Sequence, residues 1–193
     1  PDYPECAWDP VYCTWYAVHA SVEKKWLEAN AAEAAKLGFK TFIVDDGWCF
    51  DAMKRVTPET IVDWYENIGS WEVSKKKLPG FREHVKKVRG MGMRYMLWVA
   101  PFFVGGKSPL KKDVSMFLSK PHEGYQVFDT ADKKTAGKMI RKMRSLVAEN
   151  GLDGLKVDFI DSIPQDPDNP RGRPTFDFVK KMTSSIREDR PDA

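Results

Sequence analysis

Lys156 and Asp158 stand two residues apart in the run Gly154-Leu155-Lys156-Val157-Asp158-Phe159-Ile160-Asp161, which is otherwise apolar enough to be a buried strand. With a strand's period of two, Lys156, Asp158 and Ile160 share one face while Val157 and Phe159 point the other way. An uncompensated carboxylate or ammonium in a low-dielectric interior costs several kcal/mol, so the two charges must pair, open onto a wet cavity, or both. A strand end facing an active site meets that requirement; a structural ion pair at a strand end is the alternative. A second acidic point lies at Asp45 and Asp46, just before Gly47 and Trp48 and at the end of another apolar run. Asp-Asp-Gly is by itself also a turn signal. At equivalent ends of two parallel strands, these residues make a carboxylate-rich pocket walled by tryptophan. Such pockets bind polyhydroxylated ligands or divalent metals. Metal fits less well, since Lys156 adds a repulsive charge inside the ligand shell and His19, His84 and His122 are widely scattered. His84 falls in a helical pattern and is expected at the surface.

The elements that position these residues alternate between strand and helix. Strands are expected at Val11 to Tyr16, Thr41 to Val44, Arg94 to Val99 and Leu155 to Ile160. Helical stripes fall between and after them: Leu27, Ala31 and Ala34 before Gly38; Phe81, Val85 and Val88 after Pro79; Ala136, Ile140, Met143 and Val147 before Gly151; and Phe176, Val179, Thr183 and Ile186. Repeated strand-helix units without hairpin signals predict parallel strands joined by right-handed crossovers. Taking Tyr12, Phe42, Leu97 and Lys156 as strand centres, the intervals are 30, 55 and 59 residues. A bare unit needs only about 30, so the last two carry excursions, at Asp45 to Leu78 and at Ala100 to about Asp132. Both follow a strand and precede a helix, on the face where α/β barrels and open sheets alike build their sites. They hold Trp48, Trp64, Trp71, Phe102, Phe103, Phe117 and Tyr125. Aromatic platforms under sugar rings or bases account for that content, and so do loops that pack on themselves.

Composition narrows the class. With 193 residues and 42% hydrophobic content, the chain can bury one sizeable core. Its 31 basic and 28 acidic residues are interspersed, net charge +3, which does not imply nucleic acid, and Lys75 to Lys77 read as a solvated turn before Pro79. No apolar run approaches the roughly 20 residues of a membrane span, and no signal peptide is visible. Cys6, Cys13 and Cys49 are odd in number and lack metal-ligand spacing, so reduced thiols and a cytoplasmic location are favoured. The chain opens on Pro1 and reads as cut from something longer.

Four segments then line up in order and spacing: Phe39-Lys-Thr-Phe-Ile-Val-Asp-Asp-Gly-Trp48; Ile68-Gly-Ser-Trp71 with Leu78-Pro79; Gly92-Met-Arg-Tyr-Met-Leu-Trp-Val-Ala-Pro101; and Lys156-Val-Asp158. Together they resemble successive landmarks of the melibiase-like α-galactosidases of glycoside hydrolase family 36, over about Pro10 to Asp161. The resemblance implies a (β/α)8 TIM-type barrel of which residues 1–193 are a partial catalytic domain, the first four strand-helix units. It implies hydrolysis of terminal α-galactosides in oligosaccharides by a retaining mechanism, with no metal or organic cofactor. Asp158 matches the nucleophile, Lys156 a residue that bonds sugar hydroxyls at the cleavage subsite, and Asp45 and Asp46 the acidic pair that reads the sugar's hydroxyl pattern. Trp15, Trp48, Trp71 and Trp98 match pocket aromatics. The family's acid/base follows a later strand and is absent here; within this chain Asp161 or Asp129 would otherwise have to do that work.

The chain departs from the pattern at Ser70, where many relatives carry Asp, at Val157 and Ile160 in the nucleophile motif, and at Ala100 and Phe102 beside Pro101. These changes leave two alternatives open, another α-glycosidase of the clan or a galactosyl transferase similar to raffinose synthases; the absent acid/base adds a third, a non-catalytic carbohydrate-binding scaffold if the chain is complete. The expected partners are an oligosaccharide and the remaining half of the barrel, with no nucleic acid or membrane. Four strands of a closed eight leave two raw edges, so surface around Cys13, Trp15, Met96 and Trp98 is expected to be exposed, and the isolated chain is expected to associate, with a homo-oligomer one form, or to stay loosely packed, and to show no turnover.

Overall fold

Apolar runs bounded by turn residues give the strands, and the crossovers between them set their direction. The computed structural model describes residues 5–49, 65–122, 124–164 and 166–193; Trp64 lies outside them. Among the described residues, β1 (Val11–Cys13), β2 (Thr41–Val44), β3 (Arg94–Val99) and β6 (Gly154–Val157) form one parallel sheet in that spatial order, with Cys13 opposite Ile43, Val44 opposite Leu97 and Trp98 opposite Lys156. Sequential order with every pair parallel is the order of a barrel wall, whereas doubly wound sheets reverse direction at a switch point. All four C-terminal strand ends therefore lie on one rim, where Asp45 and Asp158 sit.

The helices cover the sheet with the expected stripes. α1 (Trp15–Val18) is a single turn, α2 (Lys24–Lys36) buries Leu27, Ala31 and Ala34, and α3 (Phe81–Arg89) buries Phe81, Val85 and Val88. Next, α4 (Lys133–Asn150) buries Ala136, Ile140, Met143 and Val147, with the Asp132 side chain accepting the Lys134 amide at its start and Gly151 left-handed at its end. These apolar rows meet Phe42, Val44, Leu97 and Val99 of the sheet in one core. No helix among the described residues is long and apolar enough to cross a membrane.

Several expectations are corrected. The first strand stops at Cys13, because the Thr14 hydroxyl turns to accept the Asp45 amide (2.9 Å) and the chain coils into α1. β6 likewise stops at Val157: Phe159 is left-handed (φ +59°) and Ile160–Ser162 is a 3-10 turn, so Ile160 leaves the face of Lys156 and is exposed. In the last helix, α5 (Gly172–Asp189), the buried row is Thr175, Phe178, Met182 and Ile186, and Phe176 faces out. Phe178 is drawn inward by the rings of Phe102 and Phe128, at 5.7 and 5.8 Å. A hairpin that no turn signal announced, β4 (Phe103–Gly105) against β5 (Tyr125–Val127), organises the second excursion. Its strands are joined by a long connection carrying its own 3-10 turn, Pro109–Asp113.

Two polar side chains are also not where composition places them. His84 is fully buried, not on the surface: Nδ1 lies 3.2 Å from Glu28 Oε1 and Nε2 3.0 Å from the Tyr95 hydroxyl, which satisfies both ring nitrogens between α2, α3 and β3. Burial pushes its pKa down, and Glu28 offsets this only in part. Lys77 is not a solvated turn residue; its Nζ donates to the Gly47 (3.0 Å) and Ala20 (3.3 Å) carbonyls, tying together the loops after β1 and β2.

Candidate active site

Asp45 leaves the end of β2 and is almost fully buried, so each of its oxygens needs a donor. Oδ1 accepts the Asp46 amide (3.0 Å), and Oδ2 accepts both the Lys156 ammonium (2.7 Å) and the Cys13 thiol (3.1 Å). Lys156 thus bridges outward from a buried carboxylate to a more exposed one, with Nζ 3.6 Å from Asp158 Oδ2. Burial works against the ammonium, but the hydrogen bond and charge of Asp45, with Cys13 and Asp158 behind them, outweigh it and raise its pKa. Cys13 stays a thiol: burial and the adjacent Asp45 carboxylate push its pKa up.

Asp158 is held in a different way. Its side chain is 41% exposed, leaving the carboxylate open to a ligand. Oδ2 accepts the Trp98 indole N–H (2.9 Å), Oδ1 accepts the Phe159 amide (2.9 Å), and its own amide is anchored on the Val99 carbonyl (2.9 Å). Partial burial alone pushes this carboxyl up. The Trp98 and Phe159 donors and the Lys156 charge outweigh that and hold it below the ordinary carboxylate range. An ionised, oriented, accessible carboxylate beside a cation is competent as a nucleophile or as a stabiliser of developing positive charge.

The tryptophans form a wall behind these groups. Trp48 donates its indole N–H to the Trp98 carbonyl (2.8 Å), and the rings of Trp48, Trp71 and Trp98 follow one another at 6.1 Å spacings. Trp98, expected to be exposed, is 2% exposed because Trp71 and Phe159 close over it, while Cys13, Trp15 and Met96 are half-buried. Trp71 adopts φ +50°, and its buried indole N–H has no partner among the described residues, leaving a donor for a ligand oxygen. Asp46 is buried, and its Oδ1 accepts the Gly47 amide (2.6 Å). Gly47 is required there: at φ +98° a Cβ would lie 2.4 Å from the Ala20 carbonyl oxygen. Trp15 sits in α1 with its ring against His19 (5.0 Å). Hence Asp45, Lys156, Asp158 and Trp98 meet directly, Trp48 and Trp71 back them, Asp46 follows Asp45 in the loop after β2, and Trp15 begins α1 just after β1. No cluster of three or more His, Cys, Asp or Glu among the described residues is arranged to hold a metal. Cys13, read from the sequence as a reduced thiol on the exposed inner face and not as a site residue, belongs to the site; its place at the end of β1, beside the strand end that carries Asp45, was the available signal.

Residues 8–176 match the family model described as Melibiase. The chain belongs to the melibiase family. Among curated relatives, alpha-galactosidase Mel36A of Lactobacillus acidophilus is 26% identical over 76% of this chain and 19% of its own length. Alpha-galactosidase AgaA of Geobacillus stearothermophilus is 30% identical over 50% of this chain and 12% of its own. This melibiase chain thus spans about a fifth or less of the length of these relatives. The crystal structure of AgaA in complex with raffinose superposes with a TM-score of 0.73 at 19% identity, covering 95% of this chain and 27% of that one. The α-galactosidase of Thermus thermophilus superposes with a TM-score of 0.70 at 21% identity, covering 94% of this chain and 36% of its own. At that identity the likeness speaks for fold, and it makes the four-stranded wall part of a (β/α)8 barrel.

Proposed function

We propose that this melibiase chain carries the nucleophile and the sugar-reading side of a retaining α-galactosidase. The observation that carries the reading is Asp158, an accessible carboxylate kept ionised by Trp98, the Phe159 amide and Lys156 at the rim of a parallel barrel wall. Asp158 attacks the anomeric carbon of a terminal α-galactoside, the leaving oxygen takes a proton from a carboxylic acid, and water then releases the sugar from the glycosyl-carboxylate ester. Retention requires that acid about 5–5.5 Å from the nucleophile. Asp45 is a poor candidate because it is held as the partner of Lys156, and Asp129 is fully buried and occupied by Arg171 at 3.0 Å. With both of these occupied, and Asp161 exposed in the Ile160–Ser162 turn, we assign the acid/base to a part of the barrel outside these 193 residues, in keeping with the small share of each relative that the chain covers. Variants of one neighbouring α-galactosidase, AgaA, crystallised with raffinose and with stachyose, support oligosaccharides as the substrate class.

Covalent trapping tests the nucleophile. An activated 2-deoxy-2-fluoro-α-galactoside, added to the longer protein that contains this chain, is expected to leave one sugar on the peptide carrying Asp158, read by mass spectrometry. A label on any other carboxylate overturns the assignment.

Recognition of the sugar is assigned to Lys156, Asp45, Asp46 and the Trp71 indole, with Trp15, Trp48 and Trp98 shaping the pocket. Asp45 already uses three acceptor positions, so at most one ligand hydroxyl can join it, on Oδ1. A site built to hydrogen-bond hydroxyls penalises an epimer that leaves those groups unpaired. Asp46→Ala is therefore expected to lower kcat/KM on α-galactosides by roughly 10²-fold or more while changing the low rate on α-glucosides little. Equal losses on both sugars in steady-state assays would remove Asp46 from sugar reading.

A further inference from the structure

Phe159 follows Asp158 directly and adopts φ +59°, ψ +30°, a left-handed conformation that disfavours any residue with a Cβ and that glycine takes freely. No turn chemistry asks for phenylalanine there, so something holds it. Its ring stacks on Phe103 (centroids 5.0 Å apart, planes 26° apart) and meets the edge of Trp98 (6.1 Å, 90°). Phe103 belongs to β4 and is itself packed on Tyr125 of β5 at 4.1 Å and on Tyr65 at 6.3 Å. Trp98 touches the Phe159 ring and also donates its indole N–H to Asp158 Oδ2, while the Phe159 amide donates to Oδ1. One aromatic stack thus reaches from the hairpin of the second excursion to both oxygens of one carboxylate.

We propose that Phe159 is a positioning residue for Asp158: its ring, clamped between Phe103 and Trp98, locks the left-handed backbone that aims the Phe159 amide at Asp158 Oδ1. The proposal rests on Asp158 being the nucleophile for its catalytic consequence, though the geometry it describes does not depend on turnover. It gives the aromatic hairpin a task beyond packing on itself. Strained backbone at a working site persists where the surroundings over-determine it, and here the ring contacts do so.

Glycine and alanine at position 159 separate this device from ordinary packing. Both remove the ring, but glycine still takes the left-handed conformation and alanine resists it. The charged groups facing Asp158 are the same in every variant: Lys156 at 3.6 Å, with Asp45 and Cys13 behind it. In Phe159→Ala the amide swings away, the charged form of Asp158 loses a donor, and the acid limb of the kcat/KM profile of the longer protein is expected to move up by about one pH unit. In Phe159→Gly it should move less than half as far, although glycine is the smaller residue. Phe103→Leu, which keeps apolar bulk but loses the stack, should move it in the same direction as alanine and by less. The ¹³C resonance of the Asp158 carboxyl in the 193-residue chain, titrated in the three variants, reads the same ordering without catalysis. Equal shifts in the glycine and alanine variants, or a larger one in glycine, overturn the proposal. If that ordering holds in the titration while Asp158→Ala remains active, the positioning stands and the nucleophile reading falls.

Discussion

Replacing Asp158 with alanine in the longer protein is expected to lower kcat by roughly 10⁴- to 10⁶-fold, the range of losses when single members of a catalytic unit are removed. The fold should survive. Asp158 lies at the strand end with an exposed side chain, so the Trp98 indole and the Phe159 amide that it releases can reach water. KM for an activated aryl α-galactoside should change far less than kcat, because Lys156, Asp45 and the Trp48, Trp71 and Trp98 wall remain. Azide, small enough to enter the space left by the carboxylate, should restore turnover and yield a β-galactosyl azide, since it attacks once from the face the carboxylate used. Turnover of the alanine variant near the wild-type rate, with no azide response, would remove Asp158 from the chemistry.

The pH dependence has a definite sign. The folded-state pKa of Asp158 is lowered, so the carboxylate remains ionised to a more acidic pH than an ordinary aspartate, and activity that depends on it is lost only as pH falls through that lowered value. Lys156, whose pKa is raised, stays charged across the neutral range and so supports the carboxylate throughout it.

How much of this was legible depended on the kind of signal. β2 and β3 match the predicted Thr41 to Val44 and Arg94 to Val99 because both are unbroken apolar runs cut off by turn residues, which fixes type and length together. The stripes of α2, α3 and α4 were equally readable from a period of 3.6. In α5 two adjacent rows are both apolar, and only contact with Phe102 and Phe128 chooses Phe178 over Phe176. The strand ends were misjudged for a related reason. Thr14 and Phe159 carry strong β propensity, yet a side-chain hydrogen bond at one and aromatic clamping at the other override it, and neither is a local property. Asp45, Lys156 and Asp158 were found because charge inside an apolar run must be compensated wherever it occurs. His84 and Lys77 obey the same rule in reverse: their partners, Glu28 and Tyr95 for one and two loop carbonyls for the other, lie in other segments, so burial could not be inferred from their own. The aromatic excursions were ambiguous in sequence; among the described residues Phe102, Phe103, Trp48 and Trp71 turn inward and pack on one another and on the core.

The largest expected loss of stability comes from a residue away from the chemistry. Arg171, just before α5, donates from one guanidinium nitrogen to both oxygens of Asp129 (3.1 and 3.0 Å), which lies between β5 and α4 and is fully buried. Oδ1 also accepts the Ala131 amide, and the buried hydroxyls of Thr130 and Thr175 face each other across the same seam at 3.4 Å. This pair joins the second excursion to the connection after β6, and so carries the hairpin behind Phe159 and the rim that holds Asp158 as one unit. Arg171→Met strips the cation and leaves an uncompensated carboxylate in the interior, expected to destabilise by about 3–5 kcal/mol, a large part of the 5–15 kcal/mol typical of a whole domain. Removing both partners should be much milder, because no buried charge is then left unpaired; Asp129→Leu combined with Arg171→Met is expected to recover most of the loss. Urea unfolding of the chain and its three variants measures this cycle directly. A single-variant loss under about 1 kcal/mol, within the range of exposed pairs, would mean that water reaches Asp129 and that the seam does not fasten the rim.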